Sequence, residues 1–361
     1  FTHEAVGNNS SYKVDATTFS VDNFTMNDTA LKLGDNATVT LVFSEAVILF
    51  NSDDDITDDN GTLSTMTSTD NRSWTGYFTP TDDIEDNSSR LSLTDESYTD
   101  LAGNLGPDNQ TANYEIDTKE PTVSSVEITS ATGKQNNFVN ATDNVSVTAT
   151  FSEVVNVNTT NGTPRLTLVV GSTDRTATYT SGSGSDDLVF RYMIQSGDND
   201  TNGISIGANA IALNSGTIKD VAGNDGTLSH GAVDNNSSYK VDTTAPSVDN
   251  FTMNDTALKL DDNATVTLVF SEAVILFNSD DDITADNGTL STMTSTDNRT
   301  WTGYFTPTDD IEDDNNTLSL ANNSYTDLAG NNGPDNQTAN YEVDTREPTV
   351  SSVAITDADG D

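Results

Sequence analysis

Ala37-Thr-Val-Thr-Leu-Val-Phe43-Ser-Glu45 decides the fold: apolar and polar residues alternate over seven positions and then stop at Ser-Glu. A period of two places one set of side chains on each face of a half-buried strand. The same letters return as Ala264-Thr-Val-Thr-Leu-Val-Phe270-Ser-Glu272. Extending outward, residues 14–117 and 241–344 align without a gap at an offset of 227, Trp74 falling on Trp301. This unit is called A. Between its copies, residues 118–242 form a different unit, B, with the same alternation in Val145-Ser-Val-Thr-Ala-Thr-Phe151 and Arg165-Leu-Thr-Leu-Val-Val170.

The other apolar runs are short strands too, among them Trp74-Thr-Gly-Tyr-Phe-Thr79, Leu91-Ser-Leu93, Thr176-Ala-Thr-Tyr179 and Leu188–Ile194. Asn60-Gly61 and Asn287-Gly288 signal tight turns. Ser181-Gly-Ser-Gly-Ser185 reads as a hairpin loop rather than a dinucleotide fingerprint, because no helix follows it. No segment has helical periodicity. The expectation is an all-β chain of tandem immunoglobulin-like β-sandwiches, strung as beads. The boundaries are 1–14 (the end of a B-type domain), 15–117 (A), 118–242 (B), 243–344 (A) and 345–361 (the start of a further B-type domain). Both ends then fall inside a repeat, which implies a longer natural protein. The joints share a pattern: Tyr239-Lys-Val-Asp-Thr-Thr-Ala-Pro246 recurs in Tyr114–Pro121 and Tyr341–Pro348, with a degenerate copy at Tyr12–Phe19. A proline just past a strand stiffens the crossing.

Composition narrows the function. Asp and Glu number 58 against 14 Lys and Arg, a formal charge of -44, which excludes the basic footprint that nucleic acid or an anionic membrane requires. Such a surface suits a multivalent cation or a saline medium. With no cysteine there is neither a disulfide nor a thiolate metal site. The segment carries no stretch for direct membrane insertion and no lipidation motif. The two histidines, His3 and His230, sit in loop-like contexts outside any acid–base motif. Repetition of near-identical units also argues against a unique active site, so the chain is expected not to be an enzyme.

Three motifs recur: Val241-Asp-Thr-Thr-Ala-Pro246; Phe-Ser-Glu-Ala-Val at 43–47 and 270–274 (Phe-Ser-Glu-Val-Val at 151–155); and Asp-Leu-Ala-Gly-Asn at 100–104 and 327–331 (Asp-Val-Ala-Gly-Asn at 220–224). Together they resemble the bacterial Ig-like tandem repeats of giant cell-surface adhesins, RTX-type and biofilm-associated extender domains among them. The resemblance covers essentially the whole chain. It implies an extracellular, cell-surface extender with calcium as a structural cofactor at its joints.

Strand topology reaches the same joints by a separate route. In an Ig-like domain the end of strand B and the F–G loop lie together, where the preceding domain enters. Three carboxylate sets should therefore converge: Asp15, Glu45 and Asp100; Asp117, Glu153 and Asp220; Asp242, Glu272 and Asp327. Asn104, Asn224 and Asn331 would add amide oxygens. An all-oxygen set suits a hard cation that takes six to eight oxygens. A metal-free alternative has each Glu capping a loop and each Asp making an Asx-turn. The runs Asp53-Asp-Asp55 and Asp280-Asp-Asp282 read as solvated turns, with a second calcium site as the rival account. Asp198-Asn-Asp200 reads as a turn, and Trp74 and Trp301 as packing residues.

Of 40 asparagines, 24 have Ser or Thr two places on, where the composition predicts roughly ten. Candidate N-glycan acceptors are Asn27, Asn36, Asn71, Asn87, Asn109, Asn140, Asn254, Asn263, Asn298, Asn315 and Asn336. Polar drift in an Asn- and Thr-rich surface is the competing explanation. Glycosylation would point to an archaeal or eukaryotic source. It would also favour a second reading of the chain, as a self-assembling surface filament or S-layer component rather than a stalk.

Overall fold

The computed structural model describes residues 13–354 and 356. The readings placed on residues 1–12 and on 357–361, including His3, lie outside these described residues. In the first A unit the strand Ala37–Phe43 buries Ala37, Val39, Leu41 and Phe43 completely, as its alternation requires. Val21–Met26 and Ser73–Pro80 flank it antiparallel, and Gly61–Leu63 completes a four-stranded sheet. The facing layer is built from short pieces. Ile56–Asp58, Leu91–Leu93 and Asn109–Gln110 form one group. Ala30–Lys32, Tyr114–Asp117 and Glu85–Ser89 form another, with Ala30–Lys32 parallel to Tyr114–Asp117. Leu91, Leu93, Tyr114 and Ile116 meet Val39, Leu41 and Phe78 in a single core, which makes the unit an Ig-like sandwich. The second A unit repeats it strand for strand around its own core.

The B unit is larger. Its main sheet runs Val123–Thr132, Asn144–Asn158, Ser185–Met193, Thr173–Ser181, Arg165–Val170, Ile211–Ala212. Opposite lie Phe138–Val139, Lys240–Asp242 and Asn199–Asp200. Phe-Ser-Glu at 151–153 does not end this strand. The register breaks between Thr150 and Val155, and the strand continues to pair with Thr217–Lys219. Such a bulge re-aims a side chain without ending the strand, and Glu153 sits within it.

Three local features refine the sequence reading. Asn60 turns the chain with φ 57, but the strands on either side pair with different partners, so the turn crosses between layers instead of closing a hairpin. Gly61 is required there, since a Cβ would stand 2.0 Å from the Phe78 ring. The Asp53–Asp55 run is a one-turn helix, Ser52–Asp55, capped by Asn51. Asp55 is buried, not solvated, and accepts from the Asn51 backbone N–H at 2.7 Å; Asp282 does the same for Asn278. Phe19, standing where Pro246 stands in the other copy, packs edge-on against Tyr98 at 5.6 Å.

Candidate metal centres at the domain joints

At three of the joints the chain leaves its unit through an anchored threonine. Thr118 is 1% exposed; its hydroxyl donates to Thr81 O (2.8 Å) and accepts from Ile84 N–H (3.0 Å), inside the unit the chain is leaving. Thr345 repeats this on Thr308 and Ile311, and Thr243 bonds to Asp198 O and Gly197 N–H. These pegs fix the aspartate one place earlier. Sequence reading passed over them, although Asp-Thr recurs at 117–118, 242–243 and 344–345. The copy at Asp15 has Ala16 instead.

The Asp-x-Ala-Gly-Asn loop closes around its own first side chain. Asp100 Oδ1 accepts from Ala102 N–H (2.8 Å) and Asn104 N–H (2.9 Å). Gly103 takes φ 90, a conformation that favours glycine. Asp327 accepts likewise from Ala329 and Asn331, and Asp220 from Gly223 and Asn224. All three aspartates are at most 3% exposed.

These loops bring Asp15, Glu45 and Asp100 together, as they do Asp117, Glu153 and Asp220, and Asp242, Glu272 and Asp327. In each set one oxygen per residue lies within 4.8 Å of the others. Two ligands held at 2.3–2.6 Å by one ion stand at most about 5 Å apart, so the spacing fits a shared calcium-sized cation. The asparagines are placed differently from the expectation. Their NH2 groups, not their oxygens, face the aspartates: Asn104, Asn224 and Asn331 donate to Oδ2 of Asp100, Asp220 and Asp327 at 2.6–2.7 Å. They also donate to carbonyls of the entering chain, Asn224 to Asp117 O and Asn331 to Asp242 O. In this arrangement they brace the site. Asn224 Oδ1 is taken by Leu33 N–H of the preceding unit (3.0 Å).

The electrostatics are strained without a cation. Asp15, Asp117 and Asp242 each spend one oxygen on an Asx-turn with the residue two places on, as the metal-free alternative supposes. Glu45, Glu153 and Glu272 accept no hydrogen bond among the described residues, which leaves the loop-capping part of that alternative without support. Burial, then Asp242 and Asp327, push the Glu272 carboxyl up to about 7. Burial, then Asp117 and Asp220, raise Glu153. At Asp100 burial opposes ionisation, but hydrogen bonds from Asn104, Ala102 and Gly103 outweigh it and hold the carboxyl below its usual range.

A pH dependence follows. Glu272 binds its proton more tightly folded (about 7) than unfolded (4.5), so its contribution is complete below 4.5 and is lost as pH rises through 7. Calorimetry in chelator should show the second A unit melting lower at pH 8 than at pH 5; a rise over that window would contradict the assignment.

A second contact spans the joint between B and the following A unit. Asn136 and Asn140 of B donate through Nδ2 to Leu328 O and Ala329 O of the following A unit, both at 3.0 Å. That bond engages the nitrogen of Asn140, one of the candidate glycan acceptors. Asp198 closes a turn, its N–H bonding to Gln195 O at 3.1 Å, and its side chain is buried and paired with Arg175 and Tyr192.

Residues 15–116 and 242–343, together more than half of the sequence, each match the bacterial Ig-like domain. The chain belongs to that family. Among solved structures, this bacterial Ig-like array is similar to FdeC, an Escherichia coli adhesin, at 10% identity and TM-score 0.32, covering 92% of this chain and 99% of that one. It is similar to a titin domain array at 9% identity and TM-score 0.29, covering 91% and 100%. It is also similar to the S-layer protein SbsC at 10% identity and TM-score 0.20, covering 92% and 55%. No curated protein matches the bacterial Ig-like chain. No helix among the described residues is long and apolar enough to cross a membrane.

Proposed function

We propose that this chain is a non-catalytic, space-spanning segment of a large cell-surface adhesin or fibre, an extender of the RTX or biofilm-associated kind, whose joints are stiffened by calcium. One observation carries the reading. At each carboxylate set two carboxylates of one domain and one from the strand entering it converge, and the glutamate among them has no donor among the described residues. Bound calcium would supply the positive charge this set lacks and couple the entering strand to the next sandwich. The threonine pegs hold the strand on the upstream side, and the Asn braces and Asp-centred loops hold the downstream side. The ion would therefore close a joint that is already built.

Isothermal titration of the chelated chain with calcium tests this. Three equivalents are expected, one per carboxylate set, the Asp15 set weakest because Ala16 replaces the peg. Absence of binding heat, with an unchanged melting temperature, would refute the calcium-stiffened joint.

A further inference from the structure

We propose that the A-type units are N-glycosylated on exposed asparagines of their flanks, at Asn36, Asn71 and Asn87 and at Asn263, Asn298 and Asn315. The two A units are near copies, so the places where they differ show what is retained. Asn87-Ser-Ser-Arg90 becomes Asp314-Asn-Asn-Thr317: all four residues change, yet an Asn-x-Ser/Thr tripeptide persists one place along. The fold accounts for the shift. Ser89 is 1% exposed and its hydroxyl accepts from Asn60 Nδ2 at 3.0 Å. Asn316, fully buried in the same place, accepts at Oδ1 from Asn287 Nδ2 at 2.6 Å. The buried node changed from hydroxyl to carboxamide, and the acceptor moved to Asn315, which is exposed.

The other acceptors are presented in the same way. Thr79 and Thr306 hydroxyls hold Oδ1 of Asn36 and Asn263 at 2.5 and 2.6 Å, and among the described residues nothing engages the Nδ2 atoms. Asn71 and Asn298 stand exposed at turns with φ 56 and 55. That backbone explains the asparagine. It does not explain the hydroxyl two places on, kept when Ser73 becomes Thr300. By contrast, Thr111 and Thr338 are needed for the fold, their buried hydroxyls accepting from Leu91 and Leu318 N–H at 3.0 Å. The tripeptides at Asn109 and Asn336 therefore have a structural explanation, and Asn140 is engaged at a joint.

The donor would be a lipid-phosphate-linked oligosaccharide. Asn Nδ2 bonds to the anomeric carbon, the carbon–oxygen bond to phosphate breaks, the lipid phosphate leaves and Nδ2 gives up one proton. The tripeptide supplies the hydroxyl that marks the acceptor. Sugar would coat the sides of the array and leave its joints bare.

Glycopeptide mapping of the protein purified from its native surface tests the proposal. Glycan mass is expected on the peptides of Asn36, Asn71 and their copies, with Asn140 bare. Recovery of those peptides at unmodified mass, or sugar found only on Ser and Thr, would overturn it.

Discussion

Replacing Glu272 by Gln is expected to raise the melting temperature of the second A unit in chelator at pH 8 and to lower it in saturating calcium. Without a cation the Glu272 carboxylate faces Asp242 and Asp327 with no donor among the described residues, and burial with these two charges pushes its pKa up to about 7. Gln keeps the shape and removes the charge, a gain on the order of 1–3 kcal/mol at pH 8. For a domain of about 100 residues that amounts to roughly 5 °C or more. In calcium the same change removes one of three carboxylate ligands. Wild type gains about 2.7 kcal/mol per site when calcium stands at a hundredfold its dissociation constant, and the variant forfeits most of that. Differential scanning calorimetry with and without calcium reads both arms. A shift of the same sign in both would mean that Glu272 is only a packing residue.

Asp198→Ala is expected to destabilise the B unit by about 3 kcal/mol. Asp198 is 2% exposed; Arg175 reaches Oδ1 through Nε (2.7 Å) and Nη2 (2.5 Å), while Tyr192 and Gln195 N–H reach Oδ2 at 2.5 and 3.0 Å. Removing one partner of a buried pair costs about 3–5 kcal/mol, and the partial exposure of Arg175 sets the lower end. Burial opposes ionisation of Asp198, but Tyr192 and Arg175 outweigh it and lower its pKa. Its contribution is thus present above the ordinary value of 3.8 and is lost as pH falls through the lowered native value, so wild type and variant should converge in acid. Asp174→Ala, at an exposed position beside Arg175 on the same strand, should stay within about 0.5 kcal/mol. Urea denaturation of the two variants measures the difference; a loss below 1 kcal/mol for Asp198→Ala would contradict the pairing.

The sandwich was legible because Ala37–Phe43 states its own burial: every second residue is apolar, and every one of those is inside. The carboxylate sets were legible because strand order in an Ig-like domain places Phe-Ser-Glu and Asp-x-Ala-Gly-Asn at one end, whatever the loops do in detail. The role of Asn104, Asn224 and Asn331 was not legible. An amide offers an oxygen and a nitrogen on one plane, and which faces inward depends on neighbours that the fold supplies, here the aspartate Oδ2 and an entering carbonyl. The burial of Asp198 was not legible for a similar reason. Nothing local distinguishes a surface Asp-Asn-Asp from one buried against an arginine 23 residues away. The threonine pegs were visible as letters but not as anchors, because their partners, Thr81 and Ile84 for Thr118, lie more than thirty residues back.

The central claim is that calcium sets the stiffness of the joints, and small-angle X-ray scattering of the whole chain addresses it most directly. Adding calcium to chelated protein should lengthen the maximum dimension and sharpen the distance distribution into that of an extended rod, with Glu153→Gln and Glu272→Gln together abolishing the change. Superimposable profiles with and without calcium would contradict the cation-locked joint and leave only a tandem of independent sandwiches.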